Sequence, residues 1–429
     1  MRDCCRMSWR CLATVMIASS LLLVAATASP TGGDRATAGD PVDLFTGLNV
    51  REHDDIVLDG APPIRFTRAY GSRWHRSRAF GIGTSHSYDL FLALDSSAEH
   101  KYLDLILANG ARARYVRISP GAGRTDAVLV HTASPSEFYM SRLSWNGGGW
   151  DLDLKDGSRY SFPPCQGAVR PEQCGLSGYR DGQGRTLTLK RDSFGNLLRI
   201  SAGWFRKIEL RYDSAHRIVR AETGLGLSTM TVRYAYDAGG RLASVMSRHL
   251  SVGTVLFEIV WAYQTRQLPS LERMWIEQAS EYTYDEHHRM RSVKEPGIEL
   301  NHDYDAAGRV VRQEVAGWGA WTFSYTLGEH GTVVQTDVVD PGGLHRRVAF
   351  NVDGYPRSDT RSPGLPGERV TRYERAPGGN LVTRITVECL SSAGAPLSAT
   401  ATVEREPAEN VEQRLLAQCA RELEAISPR

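Results

Sequence analysis

Large residues recur two positions apart along the second half of the chain, at Leu210/Tyr212, Tyr234/Tyr236, Trp261/Tyr263, Tyr282/Tyr284 and Phe323/Tyr325. Positions i and i+2 share one face of a strand. Each pair runs into a short polar stretch and then a fresh apolar residue, so the pattern predicts strand, turn and returning strand. The stretch itself repeats. Tyr212-Asp213, Tyr236-Asp237, Tyr284-Asp285 and Tyr304-Asp305 are each followed by Arg four residues after the Asp (Arg217, Arg241, Arg289, Arg309). An apolar residue comes next (Ile218, Leu242, Met290, Val310). An earlier unit, Asp192-Ser-Phe-Gly195-Asn196-Leu197, lacks the Tyr.

The Asp residues at 192, 213, 237, 285 and 305 are separated by steps of 21, 24, 48 and 20. The long step predicts one weaker unit, at Trp261-Ala-Tyr263-Gln264. Past Asp305 the units fade through Phe323-Ser-Tyr325, Phe350-Asn351 with Gly354, and Tyr373-Glu374 with Gly379-Asn380-Leu381. Asp can bond the backbone two residues on, and Gly240 or Gly308 accepts the positive φ that completes the reversal. His216 and His288 stand where that Gly is expected, which predicts strain or another turn type. The Arg can lay its stem along the sheet and reach a carboxylate. A lone hairpin is marginal, so the units must pair edge to edge in one sheet.

Upstream, Tyr102 to Ala108 and Ala111 to Ile118 flank Asn109-Gly110, a type I′ hairpin signal, and Asp156-Gly157 joins another pair. The fold class read from these patterns is all-β. A flexible leader (29–39) precedes an N-terminal antiparallel β-domain (40–164), a linker loop (165–178) and the hairpin array (179–385), which forms a curved or spiralling sheet. Residues 386–429 hold a strand and an amphipathic helix, because Val411, Leu415, Leu416, Cys419, Leu423 and Ile426 fall at helical spacing. That helix is expected to dock on the open end of the sheet.

These units resemble the YD-repeat or Rhs family, which includes bacterial polymorphic toxins, cell-wall-associated proteins and the teneurin shells of animals. The resemblance implies a sheet spiralling around a cavity. Asp40-Pro-Val-Asp-Leu-Phe-Thr-Gly47, Pro63-Ile-Arg-Phe-Thr-Arg-Ala-Tyr-Gly-Ser72 and Gly81-Ile-Gly-Thr-Ser-His-Ser-Tyr-Asp89 look like the β-rich domain of unknown function that opens many Rhs proteins. Family members commonly place Trp where this chain has Thr84, implying looser packing there. The likeness spans roughly residues 38 to 385. Many bacterial members end in a closing core and a toxin. Here only Asp340-Pro341-Gly342-Gly343-Leu344 is similar, it reads as a surface turn, and no toxin domain is expected.

Export changes the charge and cysteine reading. Arg2, Arg6 and Arg10, an apolar run from Cys11 to Ala26 and small residues at Ala26-Thr27-Ala28 predict a signal peptide over 1–28. The apolar run is short for a bilayer span, and no membrane span is expected after its removal. The chain carries 51 Lys and Arg against 49 Asp and Glu, so losing three Arg and one Asp leaves 48 of each. That balance disfavours a nucleic-acid partner. Cys165, Cys174, Cys389 and Cys419 remain. A periplasmic or extracellular protein favours the bridges Cys165–Cys174 and Cys389–Cys419 among three pairings, with buried free thiols as the rival.

No phosphate-binding Gly-rich lysine loop, zinc His-Glu-x-x-His or Gly-x-Ser-x-Gly nucleophile elbow occurs. Glu286, His287 and His288 read as a turn, because adjacent strand residues point to opposite faces. Ser85-His86 reads as structural, and Asp151 with Asp153 as a solvated strand face opposite Trp150, Leu152 and Leu154. The sequence therefore predicts no enzyme, no cofactor and no metal. It leaves two functional classes: an exported, cargo-free Rhs-like scaffold pairing with another YD-repeat chain or toxin module, or a binder of surface glycans. The glycan platforms would be Trp74, Trp145, Trp204, Trp318 or Trp321, each expected more often in the core. A hydrolase is a third and weaker class.

Overall fold

The computed structural model describes residues 35–94, 100–225, 228–250, 275–365, 367–377, 379–390, 396–403 and 408–426. The predicted signal peptide and the Trp261–Gln264 unit lie outside the described residues. Apart from one helix, α1 (Ala408–Ile426), and a single 3-10 turn (Pro171–Cys174), the described elements are strands. No described helix is long and apolar enough to cross a membrane.

Twenty-five strands, from Phe91–Leu94 to Pro396–Thr402, form one antiparallel sheet in sequence order. Strands such as Thr186–Arg191 alternate between a buried and an exposed face, with Leu187 and Leu189 inward. The sheet is not a closed barrel. Pro396–Thr402 ladders only with Val382–Leu390, and Phe91–Leu94 only with Tyr102–Ile106. The start of the sheet nevertheless curls back on itself, through a bridge between Phe91 and Gly175 and a 2.8 Å bond from Leu176 N–H to Leu90 O. The ladder runs without a break past residues 165–178, since Arg159–Phe162 pairs with Gly178–Arg180, which pairs with Thr186–Arg191.

Curvature has a local source. The register slips by one residue at Arg211/Tyr212, Ala235/Tyr236, Thr283/Tyr284 and Asp303/Tyr304, a β-bulge beside each repeat Tyr. Bulges bend a strand and raise its twist, so a bulge repeated at one place in every unit coils the whole sheet.

The buried face of that sheet is covered by the chain's own N-terminal part. Val50–Leu58, Ile64–Gly71 and Thr84–His86 form a small sheet whose Ile56, Phe66 and Tyr70, with Phe80 from the turn before Thr84, share a core with Ile208, Val232, Tyr234 and Val293 of the large one. Further along, Val42 and Leu44 pack with Val310, Phe323, Val338 and Val348. Residues Thr37–Ala38, within the stretch expected to be a flexible leader, are instead a strand paired with Val42–Asp43. Ala36 beside them is buried. At the far end α1 docks on the last two strands as expected, through Val411, Leu415 and Cys419 against Ile385, Val387 and Ala399.

One sequence expectation needs correction, and another is decided between its two alternatives. Leu242–Leu250 pairs directly with Trp275–Tyr284, so the Asp285 unit is the sheet neighbour of the Asp237 unit, and among the described residues no repeat strand stands between them. The His-containing turns are of the same type as the Gly ones. His216 and His288 take φ of 59° and 62°, beside 78° and 81° at Gly240 and Gly308. Each N–H bonds the carbonyl of its repeat Asp. The strain is real and the turn is unchanged.

Candidate functional site

The repeat residues assemble into a ladder along the turns. One carboxylate oxygen of Asp213 accepts the N–H groups of Ala215 and Arg217, both at 2.9 Å, and the other accepts Arg217 Nε at 2.8 Å. Asp285 holds His287, Arg289 and Arg289 Nε in the same way, and Asp305 holds Ala307, Arg309 and Arg309 Nε. Asp237 holds Arg241 at its N–H and its Nε. Partial burial pushes the carboxyls of Asp213, Asp285 and Asp305 up, but the backbone and guanidinium donors prevail and hold them below the usual carboxylate range.

Each Arg then reaches the next unit. Arg241 lies 5.2 Å from the centre of the Tyr284 ring and bonds Asp285 O at 2.7 Å. Arg289 repeats this over Tyr304 and Asp305 O. Arg217 covers Tyr236, and Arg309 covers Tyr325. Each Tyr in turn donates its hydroxyl hydrogen to the carbonyl of the apolar residue that ends the previous turn: Tyr212 to Leu197, Tyr236 to Ile218, Tyr284 to Leu242, Tyr304 to Met290, Tyr325 to Val310. The recurring Tyr, Asp and Arg are thus one stapling device that ties hairpin to hairpin. Where Asn351 replaces Asp, its amide oxygen still accepts Asp353 and Tyr355 N–H, and Arg375 covers Tyr355.

A second set of polar contacts fastens the N-terminal part to the sheet. Buried Arg68 donates Nε to both oxygens of Asp55, at 2.8 and 3.0 Å, and Tyr234 donates to Asp55 at 2.7 Å. Burial alone would raise Asp55, yet Arg68 and the hydrogen bonds hold it low. Arg68 Nη1 reaches Tyr282, Tyr70 accepts Met290 N–H, and Arg51 bridges Asp40 and Glu295. Gln313 bonds both the N–H and the carbonyl of Asp40, while its amide nitrogen lies 2.9 Å from buried His302 Nε2. Backbone contacts join the same pieces, Ile82 N–H to Gly240 O and Val310 N–H to Gly47 O. Gly81 fits only because it has no side chain, since a Cβ would stand 2.2 Å from Gly240 O. Thr84 is buried with its hydroxyl unpartnered, as is Arg68 Nη2, and both line a void of about 10 Å³. The packing at Thr84 is loose enough for one water.

The remaining candidates fall into structural settings. Ser85 donates to Asp89, which also faces Arg78 Nε at 2.9 Å, while His86 Nδ1 accepts Tyr88 N–H. Ser85 and Asp89 are therefore joined directly, without His86 between them. Asp151 is buried rather than solvated, held with Asp153 by Arg159 and bonded by Ser161. His287 is exposed beside Glu286, and among the described residues no His, Cys, Asp and Glu cluster could hold a metal. Cys389 and Cys419 are bridged, fixing α1 to its strand. The other favoured bridge is not formed: Cys165 and Cys174 are buried free thiols, the Cys165 thiol donating to Pro163 O at 3.4 Å, which is the rival arrangement. Trp145 and Trp321 are half-buried against the cores, and Trp74 is half-buried outside them, against Gly71 and Gly110. Trp204 and Trp318 depart from the expected core placement. They are 93% and 66% exposed at hairpin tips, and Phe205 beside Trp204 is exposed too. The flanking glycines of Gly317-Trp318-Gly319 and Gly203-Trp204 were the available signal.

The family described as "Domain of unknown function (DUF6531)" matches residues 39–115, the N-terminal part and the first strands of the sheet. No curated protein matches. Among solved structures, "Crystal Structure of TcdB2-TccC3" is similar at 12% identity and a TM-score of 0.29, covering 84% of this chain and 22% of that one. "Crystal Structure of TcdB2-TccC3-TEV" gives 12%, 0.30, 88% and 22%. A porin-like protein from Bacteroides uniformis gives 8%, 0.17, 74% and 95%. The chain spans about a fifth of the TcdB2-TccC3 chain.

Proposed function

We propose that the chain is an exported, non-catalytic scaffold of the Rhs type, a partial shell that pairs with another YD-repeat chain or a toxin module through the free edge of its last strand. The observation that carries this reading is the asymmetry of the sheet's two ends. The outer edge of the first strand is engaged at one end by the Phe91–Gly175 bridge, whereas Pro396–Thr402 has neither bridge nor ladder partner on its outer side among the described residues. An unpaired edge is a template for strand addition. The staples between hairpins favour a wall that holds shape. Sedimentation of the purified chain, alone and mixed with the YD-repeat product encoded nearest to it, tests this. Concentration-dependent or mixed assembly that is lost in a Ser398→Lys, Thr402→Lys variant supports the proposal. A monomer at all concentrations with no mixed species rejects it.

A second reading, a carbohydrate-binding module, is favoured by Trp204 and Phe205, which stand out from one hairpin tip. A glycan array with Trp204→Ala and Trp318→Ala decides it: saturable binding lost in one variant supports recognition, and no binding excludes it.

A further inference from the structure

Strands His345–Phe350, Pro356–Arg361 and Arg369–Arg375 set Arg346, Arg361 and Arg369 directly opposite one another, and Cys389 continues the row. Like charges placed opposite across a ladder repel. Arg346 is answered by Asp359, with bonds of 2.7 to 3.1 Å. The side chains of Arg361, which is exposed, and Arg369, which is half-buried, have no hydrogen bond or ion pair among the described residues. The acids that face them are already committed, Asp359 to Arg346 and Glu412 to the Tyr373 hydroxyl at 3.0 Å. Asp340 nearby accepts Leu344 N–H, and His345 is bonded to Asp337. Burial and the facing Arg361 hold the Arg369 guanidinium below its ordinary value.

Both guanidiniums line a cavity of about 420 Å³. Apolar walls come from Ala38 of the N-terminal part, Trp321 and Leu344 of the sheet and its loops, and Leu416 and Ala420 of α1, while Asp340, His345, Arg346 and Ser362 add polar groups to the lining. That volume lies within the range of small-molecule sites, and apolar walls with a few convergent polar groups are their usual lining. We propose that this cavity binds a small organic anion with an apolar tail, its carboxylate held between Arg361 and Arg369. Guanidinium groups match carboxylates in geometry as well as charge, and the ligand would supply the counter-charge that the row lacks. The tail would lie against Trp321 and Leu416. The site exists only when the N-terminal part, the sheet and the bridged helix are all in place.

Titration calorimetry of the full chain with octanoate, 1-octanol and inorganic phosphate tests this. Octanoate is expected to bind at one saturable site, and R361Q and R369Q are each expected to weaken it by at least about tenfold. Ala420→Trp, which fills the cavity and leaves both arginines in place, is expected to abolish binding, with circular dichroism confirming that each variant is folded. No saturable heat with octanoate at millimolar concentration overturns the proposal. So does octanoate affinity unmoved by the three variants, octanol binding as tightly as octanoate, or phosphate binding as tightly as octanoate.

Discussion

The Tyr284 hydroxyl donates to Leu242 O at 2.8 Å across 42 residues of sequence, while Arg241, one residue before that Leu, lies over the same ring. One aromatic side chain therefore links two hairpins by a hydrogen bond and a cation–π contact at once. Tyr284→Phe keeps the ring and leaves the Leu242 carbonyl without its donor, so it should cost about 1 kcal/mol in urea unfolding. Asp285→Ala removes two backbone acceptor bonds and the Arg289 pair together. It should cost more, about 2–3 kcal/mol. Equal effects of the two would contradict the division of labour described for the ladder.

Acid should weaken the fold in two stages. Burial drives His86 and His302 down to about 4, so the unfolded chain takes up their protons first, from about pH 6.5. Stability then falls as pH drops from about 6.5 to 4, by up to roughly 3 kcal/mol for each His. Asp55, Asp213, Asp285 and Asp305 are held low, so their contribution is present above about pH 4 and is lost as pH falls through their folded values. Glu412, raised chiefly by burial, opposes this loss. Urea midpoints measured against pH should show the first decline, and His302→Gln should flatten part of it.

His288 sits at a φ of 62° with its buried Nδ1 unpartnered. His288→Gly should relieve both and raise stability by up to about 1 kcal/mol. The same change at His216 should gain less, because His216 bonds Asn196 and stacks near Phe194. Thermal melts of the two variants give the comparison. A loss at His288 would show that its ring packing outweighs the backbone strain.

The Cys389–Cys419 bridge closes a loop of 30 residues, and opening it should cost about 3–4 kcal/mol for the docking of α1. Limited proteolysis with and without reductant should show cleavage within α1 only when reduced, while the repeat units remain protected.

The turns were legible in the sequence because Asp, Gly and Arg act within five residues of one another, as at Asp237-Ala-Gly-Gly240-Arg241. The docking of α1 was legible for the same reason, a local helical period. The role of Tyr was not, since its partner carbonyl belongs to the preceding hairpin and no residue type marks a carbonyl. The direct pairing of Leu242–Leu250 with Trp275–Tyr284 is not legible either, because the length of a step does not show how many units it holds. The fastening of residues 37–90 to the sheet was invisible as well: Asp55 and Tyr234, or Leu44 and Thr336, are too far apart for any periodicity to connect them.

That last arrangement bears on how the protein is made. Arg346 bonds Thr37 O, and Thr336 bonds Leu44 O, so residues that leave the ribosome early meet their final neighbours some 300 positions later. Closing loops of that length is entropically costly and slow. The beginning of the chain must wait, with Val42 and Leu44 uncovered, until most of the coil has formed. During that interval it is the part of the molecule most in need of a chaperone.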